Sequence, residues 1–382
     1  MVELYFACFR LGVIFVPLNP YLKGRFLEHQ LRDSEPSIII ADREGLEALR
    51  QSSSAMPSIP LLVVGANEED ESPGSLEHLY HSSPLGQGNL AVDGASDAVI
   101  LYTSGTTGQS KGCLLSQANL VKVGAVMRGN WRVQPEDKLF TAFPLFHSAG
   151  LVASIFAMLV SGASYHNTAG FSASSFMLDA VRLKATIILG PGAVGQALLA
   201  RSVHHDDKNH TLRLASFVPF PVSAQERFTA RFGVDLWTET YAQTECLLIS
   251  MSSIDDRRRG SIGKPSPLVE LAIQDDHGEP VAIGSPGEIV IRPRTTGAMF
   301  KGYWKRPEAT LGTWRNLWHR TGDRGYLDQD GFLHFLDRMR DAIRRRGENI
   351  CSAELEAAIL ENPKIEAVAV HAVPSAMTED DI

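Results

Sequence analysis

Short apolar runs alternate with longer segments of helical character between residues 98 and 237, and this alternation restricts the fold more than any other feature. The apolar runs cover residues 98–102, 138–142, 186–189, 214–219 and 234–237. The helix-like segments include residues 148–160, 172–183 and 223–232. Such alternation is typical of α/β proteins, in which helices cover the faces of a sheet. We therefore predict α/β layered sheets, with ligands bound in the loops that follow the carboxyl ends of the strands.

Residues 261–336 have a different pattern. Turn sequences of the form DDHG (275–278) and DQDG (328–331) separate apolar runs, as turns do in hairpins. We predict a smaller β-rich subdomain here.

Composition excludes several classes of function. The formal net charge is −8 and the isoelectric point is about 5.9, so we predict no nucleic-acid partner. No apolar run reaches the roughly 18 to 20 residues that a membrane span needs, which predicts no transmembrane segment. The four cysteines, Cys8, Cys113, Cys246 and Cys351, lie far apart and show neither zinc nor disulfide spacing. We expect a cytoplasmic protein.

The segment 101–112, LYTSGTTGQSKG, is the first candidate for chemistry. It combines hydroxyl groups, glycines and a lysine directly after a predicted buried strand: Thr103, Ser104, Gly105, Thr106, Thr107, Gly108 and Lys111. Clustered N–H donors, hydroxyls and one lysine suit the oxygens of a polyphosphate. The alternative is a flexible surface linker, but the preceding strand and the terminal lysine favour phosphate binding. It is not the loop of common nucleoside triphosphatases, because neither Ser nor Thr follows Lys111.

The segment TSGTTGQSKG resembles the phosphate loop of the adenylate-forming superfamily, which includes acyl- and aryl-CoA synthetases, luciferases and peptide-synthetase adenylation domains. Ser110 stands where that family usually has proline. Four further motifs follow in family order: PLFHSAG (144–150), TYAQTE (240–245), TGD (321–323) and LDRMRDAIRRRGENICSAELE from residue 336. SIGKP, the DDHGEP hairpin and RRRGENICSAELE are similar to the carnitine/crotonobetaine-CoA ligase branch.

The resemblance implies roles for individual residues. His147 would face the carboxyl substrate and help to gate access to it. Tyr241 would stack on the nucleotide base, and Thr244 would offer its hydroxyl to the α-phosphate. Glu245 would bind Mg²⁺, which proteins usually hold with one or two carboxylates plus substrate phosphates. Asp323 would accept hydrogen bonds from the ribose hydroxyls. Without the resemblance, these residues would be a packed histidine, an ordinary capped loop and a Gly-Asp turn.

The last motif resembles the family's hinge and the start of its small C-terminal domain. Arg338 matches an arginine that contacts the nucleotide, and Arg344 stands where some relatives carry a lysine for the second half-reaction. Arg346 and Gly347 match the segment that lines the thiol tunnel. We predict an adenylation domain over 1–336, with the β-rich subdomain at about 261–336. Residues 337–382 would be the hinge and an incomplete α+β C-terminal domain, in a chain truncated at both ends.

The predicted function is that of an AMP-forming acyl-CoA ligase of the kind that serves fatty acid metabolism. ATP and Mg²⁺ would convert a small-molecule carboxylic acid into an acyl-adenylate, and coenzyme A would then accept the acyl group. Two alternatives stay open. One is a catalytically impaired nucleotide-binding fragment, since the family's C-terminal lysine has no match here. The other is an adenylation module that serves a carrier protein.

Overall fold

The computed structural model describes residues 1–52, 59–65, 76, 81, 91–103, 109–168 and 170–338, and beyond them 342–345, 348–351, 355, 358–359, 362, 365, 368, 370, 373–374 and 380–381. The helices in this part of the chain are α1 (Val2–Leu11), α2 (Gly24–Ser34), α3 (Arg43–Ser52), α4 (Gln117–Trp131), α5 (Ile155–Ser161), α6 (Phe176–Leu183), α7 (Gly192–Ala200), α8 (Val222–Phe232) and α9 (Pro307–Gly312). None of them is both long and apolar enough to cross a membrane.

The strands up to the middle of the chain are β1 (Ile39–Ala41), β2 (Leu61–Val63), β3 (Asp97–Thr103), β4 (Lys111–Ser116), β5 (Lys138–Thr141), β6 (Ser164–Asn167), β7 (Ile187–Pro191), β8 (Leu214–Val218), β9 (Leu236–Trp237), β10 (Thr240–Gln243) and β11 (Cys246–Met251). The later strands are β12 (Lys264–Pro265), β13 (Val269–Gln274), β14 (Gly287–Pro293), β15 (Gly302–Tyr303), β16 (Trp314–Arg315), β17 (Trp318–Leu327), β18 (Leu333–Arg338), β19 (Ala342–Arg345), β20 (Glu348–Cys351), β21 (Val373–Pro374) and β22 (Asp380–Asp381).

A five-stranded parallel sheet forms the centre of the α/β region, in the order β6-β5-β7-β8-β9. Successive side chains of its strands enter different cores. Ile187 and Leu189 of β7 belong to one buried cluster, and Ile188 between them belongs to another that includes Phe217 and Phe228. A strand whose residues are apolar without a polar residue at every second position is expected to be buried on both faces, as parallel strands are. The predicted α/β fold is therefore confirmed.

The predicted β-rich region is also present. Strands β13, β14, β17 and β16 form an antiparallel sheet in that order, with β18 paired to β17. The DQDG turn connects β17 to β18. Its Asp328 carboxylate accepts hydrogen bonds from the backbone N–H groups of Asp330 and Phe332, both at 3.0 Å. An aspartate that binds its own turn in this way fixes the hairpin.

The candidate phosphate loop differs from expectation in its setting. We expected it at the carboxyl end of a strand of the α/β sheet. Instead, β3 pairs antiparallel with β4, so the loop connects two strands of a separate sheet whose order is β15-β4-β3. The residues after Lys111 extend the sheet because Cys113, Leu115 and Ser116 are buried there. Helix α4 begins only after Ser116, whose hydroxyl accepts the backbone N–H of Asn119 at 3.3 Å.

Candidate active site

The hairpin formed by β10 and β11 carries the TYAQTE motif. Gln243 pairs with Cys246, so Thr244 and Glu245 are the two residues of the turn. Every residue of β11 is buried, whereas the residues of β10 are partly or fully exposed. The buried strand anchors the hairpin, and the exposed one presents the motif. β10 begins three residues after β9 ends, so the motif lies at the carboxyl edge of the parallel sheet.

Asp323 lies against the side of β10. Its Oδ2 atom accepts hydrogen bonds from the Tyr241 hydroxyl at 2.5 Å and from Gln243 Nε2 at 2.8 Å. The same Gln243 amide donates to the Thr321 carbonyl at 2.9 Å. Asp323 is 2% exposed. A buried carboxylate is costly unless donors surround it, and these two donors hold it in one orientation.

The Gly-Asp turn that carries Asp323 is itself fixed. Gly322 has a φ of 73°, a left-handed conformation that favours glycine. Its backbone N–H donates to Glu288 Oε1 at 3.1 Å. The Thr321 hydroxyl accepts the Asp323 N–H at 3.1 Å and donates to the Ile289 carbonyl at 2.6 Å. The TGD sequence thus connects Asp323 to the neighbouring strand β14.

Glu245, at the turn of the same hairpin, belongs to a second group. Its Oε1 atom accepts a hydrogen bond from the Tyr303 hydroxyl at 2.6 Å. Lys111 Nζ lies 5.1 Å from the centre of the Tyr303 ring, within the range of a cation–π contact. Tyr303 pairs with Cys113 of β4, and Lys111 begins that strand. The end of the candidate phosphate loop and the candidate metal ligand therefore meet at one aromatic side chain.

Three groups close to Glu245, the Tyr303 phenol and the thiols of Cys113 and Cys246, are neutral at physiological pH. Burial, reinforced by the charge of Glu245, raises the pKa of Tyr303 far above its ordinary value. Burial also raises the pKa of the Cys113 thiol, and Glu245 adds to this effect while Lys111 opposes it. Burial raises the pKa of Cys246 to about 12. The Tyr303 phenol is thus a hydrogen-bond donor to Glu245 across the physiological range.

His147 lies on the loop that follows β5, at the same edge of the parallel sheet. Its Nδ1 accepts the Ala149 N–H at 3.2 Å, and its ring stacks on Phe143 with centroids 6.4 Å apart. The loop is close-packed, because a Cβ on Gly150 would lie 2.3 Å from the Pro144 carbonyl oxygen. A π-helical turn (Ala149–Ser154) follows, where we had predicted regular helix. His147 is half-buried and fixed to its own loop.

The remaining predicted positions are described to different degrees. Thr103 pairs with Lys111 across the base of the loop, and Thr244 is half-buried in the hairpin turn. Arg338 is opposite Asp323 in the pairing of β17 with β18, and Arg344 lies in β19; for both arginines the structure describes the backbone alone. Seven predicted residues lie outside the described residues: Ser104, Gly105, Thr106, Thr107, Gly108, Arg346 and Gly347.

Sequence reasoning missed Gln243 and Tyr303. Gln243 lies inside the TYAQTE motif, two residues after Tyr241 on a short strand. Side chains two residues apart on a strand lie on the same face, and this spacing could have indicated that both contact the same group. Tyr303 belongs to a two-residue strand, which has no periodicity to recognise. Its contact with Glu245 joins residues 58 positions apart.

Comparison with known proteins agrees with this geometry. Residues 1–304 match the family model described as AMP-binding enzyme. The crotonobetaine/carnitine–CoA ligase of Salmonella paratyphi C is 30% identical over 99% of this chain and 74% of its own length. A feruloyl-CoA synthase from an Amycolatopsis species is 31% identical over 97% of this chain and 73% of its own. The ATP-bound structure of MatB from Rhodopseudomonas palustris superposes with a TM-score of 0.77 at 28% identity, covering 99% of this chain and 74% of that one.

The family match covers most of the chain, and both relatives align with almost all of it. The fold agrees with that of an ATP-bound enzyme. Together they indicate acid activation through an adenylate, followed by transfer to coenzyme A. The chain therefore belongs to the AMP-binding enzyme family, as an AMP-forming acid–thiol ligase.

Proposed function

We propose that this chain activates a small carboxylic acid at the β10–β11 hairpin, with the nucleoside of ATP at Asp323 and the phosphates between Glu245 and Lys111. The observation that carries the proposal is the order of contacts along the hairpin. Tyr241 and Gln243 bind Asp323, and Glu245, two residues further on, accepts a hydrogen bond from Tyr303. The ring of Tyr303 in turn lies beside the Lys111 ammonium. A carboxylate suited to ribose hydroxyls thus lies beside one end of this short segment, and a tyrosine that also contacts a lysine suited to phosphates lies beside the other.

In the first step, a carboxylate oxygen of the substrate attacks the α-phosphorus of ATP. The bond to the bridging oxygen breaks, and pyrophosphate leaves. Negative charge develops on the phosphates, and preformed donors and cations stabilise it. We assign this role to Lys111, Thr244 and the loop residues Thr103, Ser104, Gly105, Thr106, Thr107 and Gly108. Tyr241 would contact the base, and Asp323 would accept the ribose hydroxyls.

The residues present fit a magnesium ion. Glu245 offers a half-buried carboxylate beside the end of the candidate phosphate loop, and Mg²⁺ is usually held by one or two carboxylates together with substrate phosphates. We propose Glu245 as the protein ligand. When bound, the ion would neutralise charge on the phosphate oxygens.

In the second step, the thiolate of coenzyme A attacks the acyl carbon, the bond to the adenylate oxygen breaks, and AMP leaves. We propose that residues 337–382 are the hinge and the start of a small domain that moves for this step. Arg338, Arg344, Arg346 and Gly347 would contact the nucleotide or the thiol. The pairing of β19 with β20 in a two-stranded sheet of their own supports a division near Arg338.

His147 would border the path of the acid, since the loops that follow β5, β7, β8 and β9 all lie at the same sheet edge.

We also propose a cytoplasmic location, because the free thiols of Cys8, Cys113 and Cys246 suit a reducing compartment.

The test is acid-dependent exchange of labelled pyrophosphate into ATP. A panel of crotonobetaine, carnitine, ferulate and simple fatty acids would serve as substrates, because the relatives' names point to the first three. Exchange with one acid and formation of its coenzyme A thioester would support both steps. Binding of MgATP without exchange with any acid would contradict the proposed activity, and exchange without a thioester would contradict coenzyme A as the acceptor.

A further inference from the structure

We propose that Tyr303 is a positioning residue that sets the orientation of the Glu245 carboxylate and the Lys111 ammonium toward the phosphates of ATP. This inference rests on the proposed function, and it assigns a role to a residue outside the five motifs. Two observations carry it. The Tyr303 hydroxyl donates to Glu245 Oε1 at 2.6 Å, and Lys111 Nζ lies 5.1 Å from the centre of the ring. The hydroxyl of Tyr303 therefore contacts the candidate metal ligand, and its ring contacts the candidate phosphate-binding lysine.

The backbone around Tyr303 is fixed on both sides. Lys301 N–H donates to the Leu114 carbonyl at 2.8 Å, and Trp304 N–H donates to the Gly112 carbonyl at 2.7 Å. The N–H of Tyr303 itself donates to Thr310 Oγ1 at 2.9 Å. The first two bonds hold β15 against β4, the strand that begins with Lys111, and the third joins Tyr303 to α9. The ring consequently has a set position relative to the end of the candidate phosphate loop.

The hairpin turn is joined to the same segment. Phe300 N–H donates to the Glu245 carbonyl at 2.9 Å, so the backbone of Glu245 is bound to the chain three residues before Tyr303. Backbone and side chain of Glu245 thus both depend on residues 300–303. Gly112 is close-packed here, because a Cβ would approach Ile100 Cγ2 to 2.5 Å. The two strands and the turn form a framework in which a shift of Tyr303 would displace Glu245.

The two contacts have different chemical consequences. A neutral phenol orients one carboxylate oxygen without cancelling its negative charge, so the carboxylate keeps its attraction for a divalent cation. Partners of this kind fix the direction of metal ligands, and their loss usually costs about 10- to 100-fold in metal affinity or activity. The aromatic face attracts the ammonium of Lys111 through its quadrupole and places it over the ring. Both effects act on how tightly MgATP is held.

Two substitutions separate the contacts. Tyr303→Phe removes the hydroxyl and keeps the ring, whereas Tyr303→Leu removes both. We expect Tyr303→Phe to raise the Mg²⁺ concentration for half-maximal MgATP binding about tenfold. Its affinity for ATP in the presence of a chelator should stay close to that of the wild type. Tyr303→Leu should show the same magnesium effect and, in addition, weaker binding of metal-free ATP, because Lys111 loses its support.

Calorimetric titration of ATP at a series of Mg²⁺ concentrations measures these effects without turnover. Tyr326→Phe is the matched control, since the Tyr326 ring stacks on His334 with centroids 4.7 Å apart and the substitution leaves that stack in place. Thermal unfolding of each variant reports whether the fold is retained. If Tyr303→Phe lowers the melting temperature and weakens ATP binding equally with and without Mg²⁺, its role is structural and the proposal is wrong.

A double-mutant cycle with Glu245→Gln gives the sharpest test. If Tyr303 acts through Glu245, the Tyr303→Phe change should have little further effect on magnesium dependence once the Glu245 charge is gone. Full additivity would overturn the proposal. If the wild-type chain binds no MgATP, the proposed function as a whole is wrong. If the wild type binds MgATP and Tyr303→Phe binds it with the same Mg²⁺ dependence, only the role of Tyr303 is wrong.

Discussion

Buried and half-buried carboxylates have different partners in the parallel-sheet region and at the β10–β11 hairpin. Around the sheet, each pairs with an arginine: Asp137 with Arg213 at 2.6 Å, Asp207 with Arg231 at 2.7 Å and Glu239 with Arg257 at 2.9 Å. At the hairpin, Glu245 accepts a hydrogen bond from a phenol, and Asp323 accepts hydrogen bonds from a phenol and an amide.

The difference suggests two uses of the same chemical group. An arginine satisfies a carboxylate and cancels its charge, which suits a residue that only joins elements of the fold. A neutral donor fixes the direction of the carboxylate and leaves its charge in place. The phenol that donates to Glu245 is of this second kind, which suits a residue that must meet a cation. Substitutions at the two kinds of site should consequently affect different properties of the protein.

The largest effect is expected for Arg231→Ala. Arg231 binds Asp207 and donates to the carbonyls of Leu199, Arg201 and Ser202 at 2.7–3.1 Å. Both side chains of the ion pair are 8% exposed. Its removal leaves a buried charge unpaired, which should lower the free energy of unfolding by about 3–5 kcal/mol. Urea denaturation measures this. Unchanged stability would mean that the arginine pairs of the sheet region are not structural.

Glu245→Gln should show the opposite pattern. The amide oxygen can still accept from Tyr303, so we expect stability close to that of the wild type. The loss of charge should reduce acid-dependent pyrophosphate exchange on the order of 100-fold. Glu270→Gln is the matched control, because Glu270 forms a partly exposed pair with Arg292. Near-normal exchange by Glu245→Gln would reject its assignment as the metal ligand.

Gln243→Leu tests the nucleoside end. The substitution removes one donor to Asp323 and keeps Tyr241. The loss of a hydrogen bond to a charged group corresponds to roughly a tenfold weaker binding of ATP. Binding of 2′,3′-dideoxy-ATP should change less, since that analogue lacks the hydroxyls that Asp323 would accept. Gln51→Leu, on the surface of α3, provides the control. Equal losses for both nucleotides would argue against a role at the ribose.

The smallest effect is expected for the pH dependence of the Asp137–Arg213 pair. Burial favours the neutral acid, but hydrogen bonds from Arg213, the Gln134 N–H and Thr186 outweigh it and hold the pKa of Asp137 below its usual value. A depressed pKa in the folded state gives stability that is present above the unfolded pKa and is lost as the pH falls through the folded pKa.

The unfolding free energy of Arg213→Ala should therefore be lower than that of the wild type at neutral pH. The two values should converge below about pH 4, near the pKa of an unfolded aspartate. Denaturation at a series of pH values measures the difference. A difference that does not change with pH would show that Arg213 acts through its bonds to the carbonyls of Trp131 and Arg132 rather than through Asp137.

The elements of the α/β region could be predicted because their signals are local. Apolar runs at 138–142 and 186–189 correspond closely to β5 and β7, and the helix predicted at 223–232 is α8 (Val222–Phe232). The position of the candidate phosphate loop between antiparallel strands could not be predicted. The loop lies there because β3 pairs with β4, and the sheet that these strands form is completed by β15, which lies almost 190 residues away and is two residues long.

By itself, the sequence determined which residues have the chemistry for binding a nucleotide. Hydroxyls and glycines before Lys111, the carboxylates of Glu245 and Asp323, and the order of the motifs are properties of the chain, and they were sufficient to indicate the family. Only the tertiary structure decided that Gln243 and Tyr303 hold those carboxylates. Hydrogen bonds act over about 3 Å, and which donor comes within that distance depends on how strands distant in the chain pack together.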